Sequence, residues 1–376
     1  LTDIFNQIQS ETGASSSVSF NTHNLESDTL IFRAFYNPKF SNGDVTAQSI
    51  NSNGTVASTL TWSAATQVDA QVTADSRIII TYDDVNDAGI PFQYTNLTTA
   101  QKTAIKGTVG NQPACIGTSS CYSGDRDVFG EARIDYLRGD STNEGDTYST
   151  GDMRERVASE GKLGDFINSN PRFVGPPNFS RRSSDPYPTD TGELYSEFAA
   201  TYASRTELVY IGSNDGMMHA FNASTGDEAF AYVPSPVIEN LEELTKPSYT
   251  SGTHEFYTDG TPAINDIYSA TTDGGTIDWA TVLVGSLRAG GKGYFALNVT
   301  DPSTFDTETN AKANVMWEFT SDDDDDLGYS FSTPILAMTN TTAGNGGSTY
   351  QRWAAIFGNG YNSNSTDGDA KLFIAF

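Results

Sequence analysis

Residues 207–234 read Glu-Leu-Val-Tyr-Ile-Gly-Ser-Asn-Asp-Gly-Met-Met-His-Ala-Phe-Asn-Ala-Ser-Thr-Gly-Asp-Glu-Ala-Phe-Ala-Tyr-Val-Pro. Three apolar runs stand out, Leu208–Ile211, Met217–Phe221 and Ala229–Val233. Each is too short for a stable helix and rich in β-branched or aromatic residues, so each is predicted to be a strand. Asn214-Asp215-Gly216 separates the first two, with glycine to supply the positive φ of a tight hairpin. Ser224-Thr225-Gly226-Asp227 makes the second turn. The product is a three-strand antiparallel meander. Its strands do not alternate between apolar and polar, so both sheet faces are expected to be covered. That is the pattern of a propeller blade.

The pattern recurs. Thr281–Gly285 leads to Gly293–Asn298 and then to Val315–Phe319, and Ala354–Gly358 leads to Lys371–Ile374. Gly212, Gly285 and Gly358 close the first run of each unit and lie at equal intervals. The interval exceeds the roughly 40–45 residues of an ordinary propeller repeat, so the blades carry insertions. Gly43-Asp44-Val45-Thr46-Ala47 echoes Gly216-Met217-Met218-His219-Ala220 and points to a further blade. The expected fold is therefore β-dominated, a modified and incomplete β-propeller with short helical insertions. Residues 1–28 read as a polar connecting arm. Residues 29–95 read as a blade with strands Leu30–Tyr36, Asp44–Ile50, Leu60–Val68 and Arg77–Tyr82. Residues 96–205 read as an insertion, and residues 206–376 as the repeated blades. Within the insertion, Thr99–Lys106 and Ala132–Arg138 are predicted helices stopped by Gly107 and Gly139. Gly161–Ser184 reads as a proline-containing loop, and Glu193–Ala203 and Val237–Leu244 as two more helices.

A net charge of −27 argues against a nucleic-acid partner, because phosphate contacts need Lys and Arg. No apolar run approaches the roughly 18 residues of a membrane span. Leu1 is not an initiator residue and reads as a processed or incomplete N-terminus. Cys115 and Cys121 enclose Ile-Gly-Thr-Ser-Ser and are expected to form a local disulfide in an exported protein. Two cysteines are too few for a structural zinc site, and His23, His219 and His254 are scattered.

Several motifs have a functional and a structural reading. Gly285-Ser-Leu-Arg-Ala-Gly-Gly-Lys-Gly departs from a phosphate-binding loop in spacing, lacks Ser or Thr after Lys292, and precedes a strand. It reads as a hairpin connection. The run Asp322–Asp326 self-repels and reads as a solvated loop. Asn362, Asn364, Asp367 and Asp369 are oxygen ligands near calcium-loop spacing, but no glutamate closes the set. Arg138-Gly139-Asp140 spells a tripeptide that some adhesion receptors read, while its glycine suits a helix stop. His219 reads as a packed or hydrogen-bonded structural residue. No Ser/His/Asp or Cys/His grouping emerges, so no catalytic role is predicted.

Val209–Ser235 closely resembles the PilC/PilY family of type IV pilus tip-associated proteins. Further family-like stretches follow in order: Tyr136–Asp140, Leu163–Ser169, Asp259–Pro262, Leu283–Pro302, Leu327–Ser332 and Gly358–Ser363. The resemblance implies a modified propeller at a pilus tip, outside the cell after export through the periplasm. It implies roles in pilus biogenesis, adhesion, twitching motility and surface sensing, with minor pilins as partners and an unidentified surface receptor. The family's upstream von Willebrand factor A-like domain is not in this sequence, and Leu1–Asp28 reads as its trailing arm. The family's calcium loop is expected beyond Phe376, so no calcium ligand carries over. Thr225-Gly226-Asp227-Glu228 before an aromatic strand also resembles blades of quinone-dependent dehydrogenases. Those enzymes hold calcium and, in many members, adjacent linked cysteines, whereas Cys115 and Cys121 are separated. Another secreted propeller-like binding protein is the remaining alternative.

Overall fold

A computed structural model describes residues 14–20, 29–71, 74–107, 115–116, 120–121, 127–145, 153–156, 161–178, 187–249, 252–270, 275–345 and 348–376. The first sheet comprises β1 (Ala14–Phe20), β2 (Leu30–Asn37), β3 (Asn42–Ser49) and the short β4 (Trp62–Ser63) in that order. The second is six-stranded. Its strands are β5 (Ile79–Asp83), β6 (Ala88–Pro91), β11 (Arg172–Val174), β12 (Leu208–Gly212), β13 (Met218–Asn222) and β14 (Glu228–Tyr232), in the order β11-β12-β13-β14-β5-β6. Between β6 and β11 the chain makes two small pairs, β7 (Cys115–Ile116) with β8 (Ser120–Cys121), and β9 (Glu144–Gly145) with β10 (Met153–Arg154). The third sheet is a meander of β15 (Ala263–Ser269), β16 (Asp278–Ser286), β17 (Gly293–Asn298) and β18 (Val315–Thr320). The fourth is β19 (Ile335–Asn345), β20 (Ser348–Gly358) and β21 (Leu372–Ala375).

These sheets pack face to face in chain order, and the pleat explains how. Successive side chains of a strand point to opposite faces. On β12, Val209 and Ile211 face a core shared with Phe32, Val45 and Trp62 of the first sheet. Leu208 and Tyr210 face the opposite way, into the large central core that also holds Leu283, Phe295 and Leu297 of the third sheet. On the third sheet, Val282, Val284, Tyr294 and Ala296 turn to a third core with Trp353, Ala355 and Phe357 of the fourth. Both faces of the inner blades are thus dry, which is why their sequences lack polar alternation. The Trp62 indole N–H donates to the Ala223 carbonyl at 2.9 Å and ties the first blade to the second.

The repeats predicted from sequence hold. Gly212 ends β12, Gly285 lies near the end of β16, and Gly358 ends β20. Gly43–Ala47 lies on the second strand of the β2–β3 hairpin, just as Met218–Ala220 lies on the second strand of β12–β13. Gly285–Gly293 is the connection from β16 to β17, with a single 3-10 turn at Arg288–Gly290.

The structure corrects the predicted first blade. Leu60–Val68 is mostly helical: only Trp62 and Ser63 pair with β3, and helix α1 (Ala64–Ala70) follows. Ser63 caps that helix by accepting from the Thr66 amide, and the alanines after it favour helix. The strand predicted at Arg77–Tyr82 does not belong to the first sheet. It is β5, and it pairs parallel with β14 of the second. Ile79–Tyr82 is buried throughout, as a strand flanked on both sides must be. Ala14–Phe20, read as part of an arm, is strand β1. Arg172–Val174, read as loop, is edge strand β11.

The predicted helices of the insertion are present. Helix α2 (Thr99–Lys106) has a capping box between Thr98 and Gln101 and ends at Gly107 with φ +66°. Helix α3 (Asp127–Leu137) ends before Gly139 at φ +107°. Ile105, Phe129, Ile134 and Leu137 bury these helices against the central core. The other two readings give helix α4 (Tyr195–Thr201) and a 3-10 turn at Ser235–Asn240 leading into helix α5 (Leu241–Leu244). Among the described residues no helix is long and apolar enough to cross a membrane.

Candidate functional site

The β12–β13 hairpin, with β14 beside it, holds a buried chain of charges. His219 on β13 is fully buried. Its Nδ1 lies 2.7 Å from Glu228 of β14, and its Nε2 lies 3.1 Å from both carboxylate oxygens of Asp215 in the turn. Glu228 also receives two hydrogen bonds from Arg77, from Nε at 2.6 Å and Nη2 at 2.8 Å. Burial alone would lower the His219 pKa, but Asp215 and Glu228 outweigh it and lift it to about 9. Burial alone would raise Glu228, but Arg77 and His219 hold it well below the usual carboxylate range. His219 is therefore an imidazolium donating to two carboxylates. It has no lone pair for proton abstraction, so it acts as a clamp.

The Leu163–Ser169 and Asp259–Pro262 stretches converge on the same turn. Asp165 accepts from the Asn214 amide at 2.6 Å and from His254 Nε2 at 2.7 Å. The Asn168 amide N–H donates to Asp259, and the Ser169 hydroxyl donates to the Gly260 carbonyl at 3.0 Å. The Gly212 N–H donates to Ser169 Oγ at 2.9 Å. A Cβ on Gly212 would lie 2.2 Å from the Thr258 carbonyl oxygen, so only glycine lets the two segments touch. The next junction is built alike: the Leu287 N–H donates to Ser330 Oγ, and the Gly328 N–H to the Asn359 carbonyl. Of the stretches that resemble the family, Leu163–Ser169, Asp259–Pro262 and Leu327–Ser332 are linkers seated on strand ends of the blades.

On a neighbouring face an acidic groove of about 920 Å³ is walled by Asp84, Asp87, Glu239, Glu255, Glu318 and Asp322, with Lys292 at its side. Glu318 of β18 accepts from the Tyr232 hydroxyl and from the backbone N–H and hydroxyl of Ser235. Burial nevertheless lifts its pKa to about 7.

The residues singled out from sequence are placed as follows. Arg138 is buried, donating to Glu308 at 2.6 Å and to the carbonyls of Phe92 and Arg77. Its guanidinium faces the interior, and Gly139 serves as a helix stop. Asn362, Asn364, Asp367 and Asp369 lie on the loop between β20 and β21. Asp367 accepts from Lys371 at 3.0 Å, and Asn364 accepts from Lys292 at 2.8 Å. No group of three metal-ligating acidic, His or Cys side chains occurs among the described residues. Asp322–Asp326 forms a turn in which Asp323 accepts from the Thr320 amide. Cys115 and Cys121 are register partners across β7 and β8, and their side chains lie outside the described residues. Sequence reading missed the partners of His219. A histidine in an otherwise apolar strand demands buried counter-groups, but which carboxylates supply them depends on sheet register.

A family model for the PilY1 β-propeller domain matches residues 163–375. The chain belongs to the PilY1 β-propeller family. A type IV pilus biogenesis factor PilY1 homolog of Xylella fastidiosa (strain Temecula1) is 35% identical over 396 residues, covering 98% of this chain and 24% of that protein. The type IV pilus biogenesis factor PilY1 of Pseudomonas aeruginosa (strain UCBPP-PA14) is 33% identical over 387 residues, covering 100% of this chain and 29% of that protein. The chain thus spans between 24% and 29% of the length of these relatives. A crystal structure of the P. aeruginosa PilY1 C-terminal domain aligns at 36% identity and a TM-score of 0.39, covering 54% of this chain and 34% of that one. The PilY1 match begins at the Leu163 stretch that braces the buried hairpin and runs through the three repeated blades.

Proposed function

We propose that the chain is the propeller part of a type IV pilus biogenesis factor that works at the pilus tip. Minor pilins are its attachment partners, and adhesion to surfaces, twitching motility and surface sensing are its outputs. Its site of action is outside the cell, after export through the periplasm. The single observation carrying this reading is the PilY1 family match across residues 163–375. The buried, ion-paired hairpin is compatible with it: a part that bears pulling forces needs blades locked to one another, and the Leu163 and Leu327 linkers are seated on neighbouring strand ends. The reading assigns the chain no catalytic role and no cofactor of its own, and it includes a Cys115–Cys121 disulfide formed on export. Mass spectrometry of non-reduced peptides from exported protein should recover the linked pair, and two free thiols would remove that element.

Immunogold labelling of sheared pili from cells carrying an epitope-tagged protein tests the location. Labels confined to one end of filaments are expected. Uniform labelling along the shaft, or retention of the tag in the cytoplasm, would overturn the proposal. Dye reduction with alcohols or sugars that requires added quinone and calcium would favour the dehydrogenase alternative instead.

A further inference from the structure

Against a net charge of −27, one pocket is basic. Lys39, Arg154, Arg156 and Lys162 line a cavity of about 260 Å³, backed by Phe40 and Tyr249. The β9–β10 pair and the start of the Leu163 linker bring these cations together from segments far apart in sequence. Arg156 is fixed as part of the wall: it pairs with Glu144 at 2.6 Å and donates to the carbonyls of Tyr136 and Asp140. The Arg154 guanidinium stacks over the Tyr249 ring at 4.9 Å and, among the described residues, donates to the Tyr136 hydroxyl at 3.3 Å. Neither Arg154, Lys39 nor Lys162 forms an ion pair among the described residues. Among the described residues Glu155 is the one carboxylate on the lining, and it has interactions of its own. Asp69 and Asp140 act on Lys162 from beyond ion-pair distance, and no carboxylate among the described residues closes onto these three cations, so an anion seated between them relieves their mutual repulsion.

A second observation lies just beneath. Ser41 is 6% exposed, has a left-handed φ of +52°, and its hydroxyl has no hydrogen-bond partner among the described residues. It lines a small cavity of about 20 Å³ whose walls include Arg154, Arg156 and Lys162. A buried hydroxyl without a partner, on a strained backbone and beside three cations, is a polar contact waiting for an oxygen. We infer that this pocket binds a small oxyanion, inorganic phosphate or a few-carbon polycarboxylate. The volume lies below the roughly 300–1,000 Å³ of sites for drug-sized ligands, which sets the size class. Lys162 and Arg154 supply the charge, and the Phe40 and Tyr249 rings flank whatever carbon body the anion carries.

Isothermal titration of the whole chain with inorganic phosphate and with citrate, each against chloride at matched ionic strength, tests this. Saturable binding of one or both is expected, and which of them binds identifies the source of the oxyanion. Lys162→Gln should weaken it about fivefold to tenfold with little change in the thermal midpoint, since its ammonium makes no ion pair within bonding distance among the described residues and meets Asp69 and Asp140 only at longer range. Arg154→Gln should weaken it similarly. Lys292→Gln, on the acidic groove, removes the same charge elsewhere and should leave affinity unaltered. Heats indistinguishable from chloride would overturn the inference. So would equal losses in Lys162→Gln and Lys292→Gln, or binding that survives both pocket variants.

Discussion

His219 is tolerable on a buried strand only because carboxylates flank both ring nitrogens and Arg77 balances Glu228. Glu228→Gln would leave Arg77 and His219 buried without their shared counter-charge. The expected cost is about 3–5 kcal/mol, read as a lower thermal midpoint. The pH dependence has a definite sign. The folded pKa of His219 is raised from 6.5 to about 9, so its contribution is complete below the unfolded value and is lost as pH rises through about 9. Glu228 is depressed below its ordinary 4.5, so its contribution is complete above that value, falls as acid takes the pH below it, and is gone once the depressed value is passed. Denaturant midpoints should therefore decline between about pH 6.5 and about 9, and His219→Asn should flatten the decline. An identical slope in the variant would assign it to other groups. Next to this clamp, Gly216 sits at φ +96°. Gly216→Ala would force a left-handed alanine at a cost of about 1–2 kcal/mol. The nearest obstacle is the Leu241 side chain, 2.5 Å from an added Cβ, and its flexible end can move aside. The cost is therefore conformational, and an unchanged midpoint would mean the turn relaxes to another type.

At the scale of elements, β18 carries the second titrating group. Glu318 has its pKa raised from 4.5 to about 7 by burial, so folding takes up a proton between those values. The Glu318 contribution should fall as pH rises from about 4.5 to about 7 and be flat beyond, where the His219 decline takes over, and Glu318→Gln should remove the lower part of the slope. A variant that keeps the full slope would show that Glu318 does not titrate in that window. What sequence made legible at this scale follows from local physics. Short β-branched runs, the Asn-Asp-Gly turn and the Thr98–Gln101 capping box act within a few residues, and the strands and helices they imply are where expected. Leu60–Val68 misled because its apolar residues suit a strand, while Ser63 starts a helix within it. Of the candidate site, His219 could be singled out, but Asp215 and Glu228 become its partners only through the β12–β13–β14 register. The basic pocket was invisible, since Lys39 and Lys162 meet only after folding.

For the whole molecule, the decisive feature is that chain order and sheet membership part company at one strand. β5 comes from residues 79–83 yet pairs with β14, and β6 extends the same sheet outward. Ile79 and Ile80 are wholly buried in the central core together with Phe230, Tyr232 and Leu297. Arg77, just before β5, is the cation that balances Glu228. The match to the family domain begins at residue 163, but the folding unit therefore reaches back to at least residue 77. A fragment of residues 161–376 would lose β5 and β6, uncover the open edge of β14, and leave Glu228 with His219 alone. An uncovered apolar edge strand is a template for aggregation, and the lost burial of Ile79, Ile80 and Tyr82 amounts to roughly 1.5–3 kcal/mol for each large side chain. Expressed alone, that fragment should be aggregated or bind hydrophobic dye without cooperative unfolding. Fragments beginning at residue 75 or 29 should differ from one another mainly in the first core, where Phe32 and Trp62 pack on Val209. A soluble 161–376 fragment with a sharp transition at the midpoint of the longer chain would show that β5 is an accessory strand and that the repeated blades close their core without it.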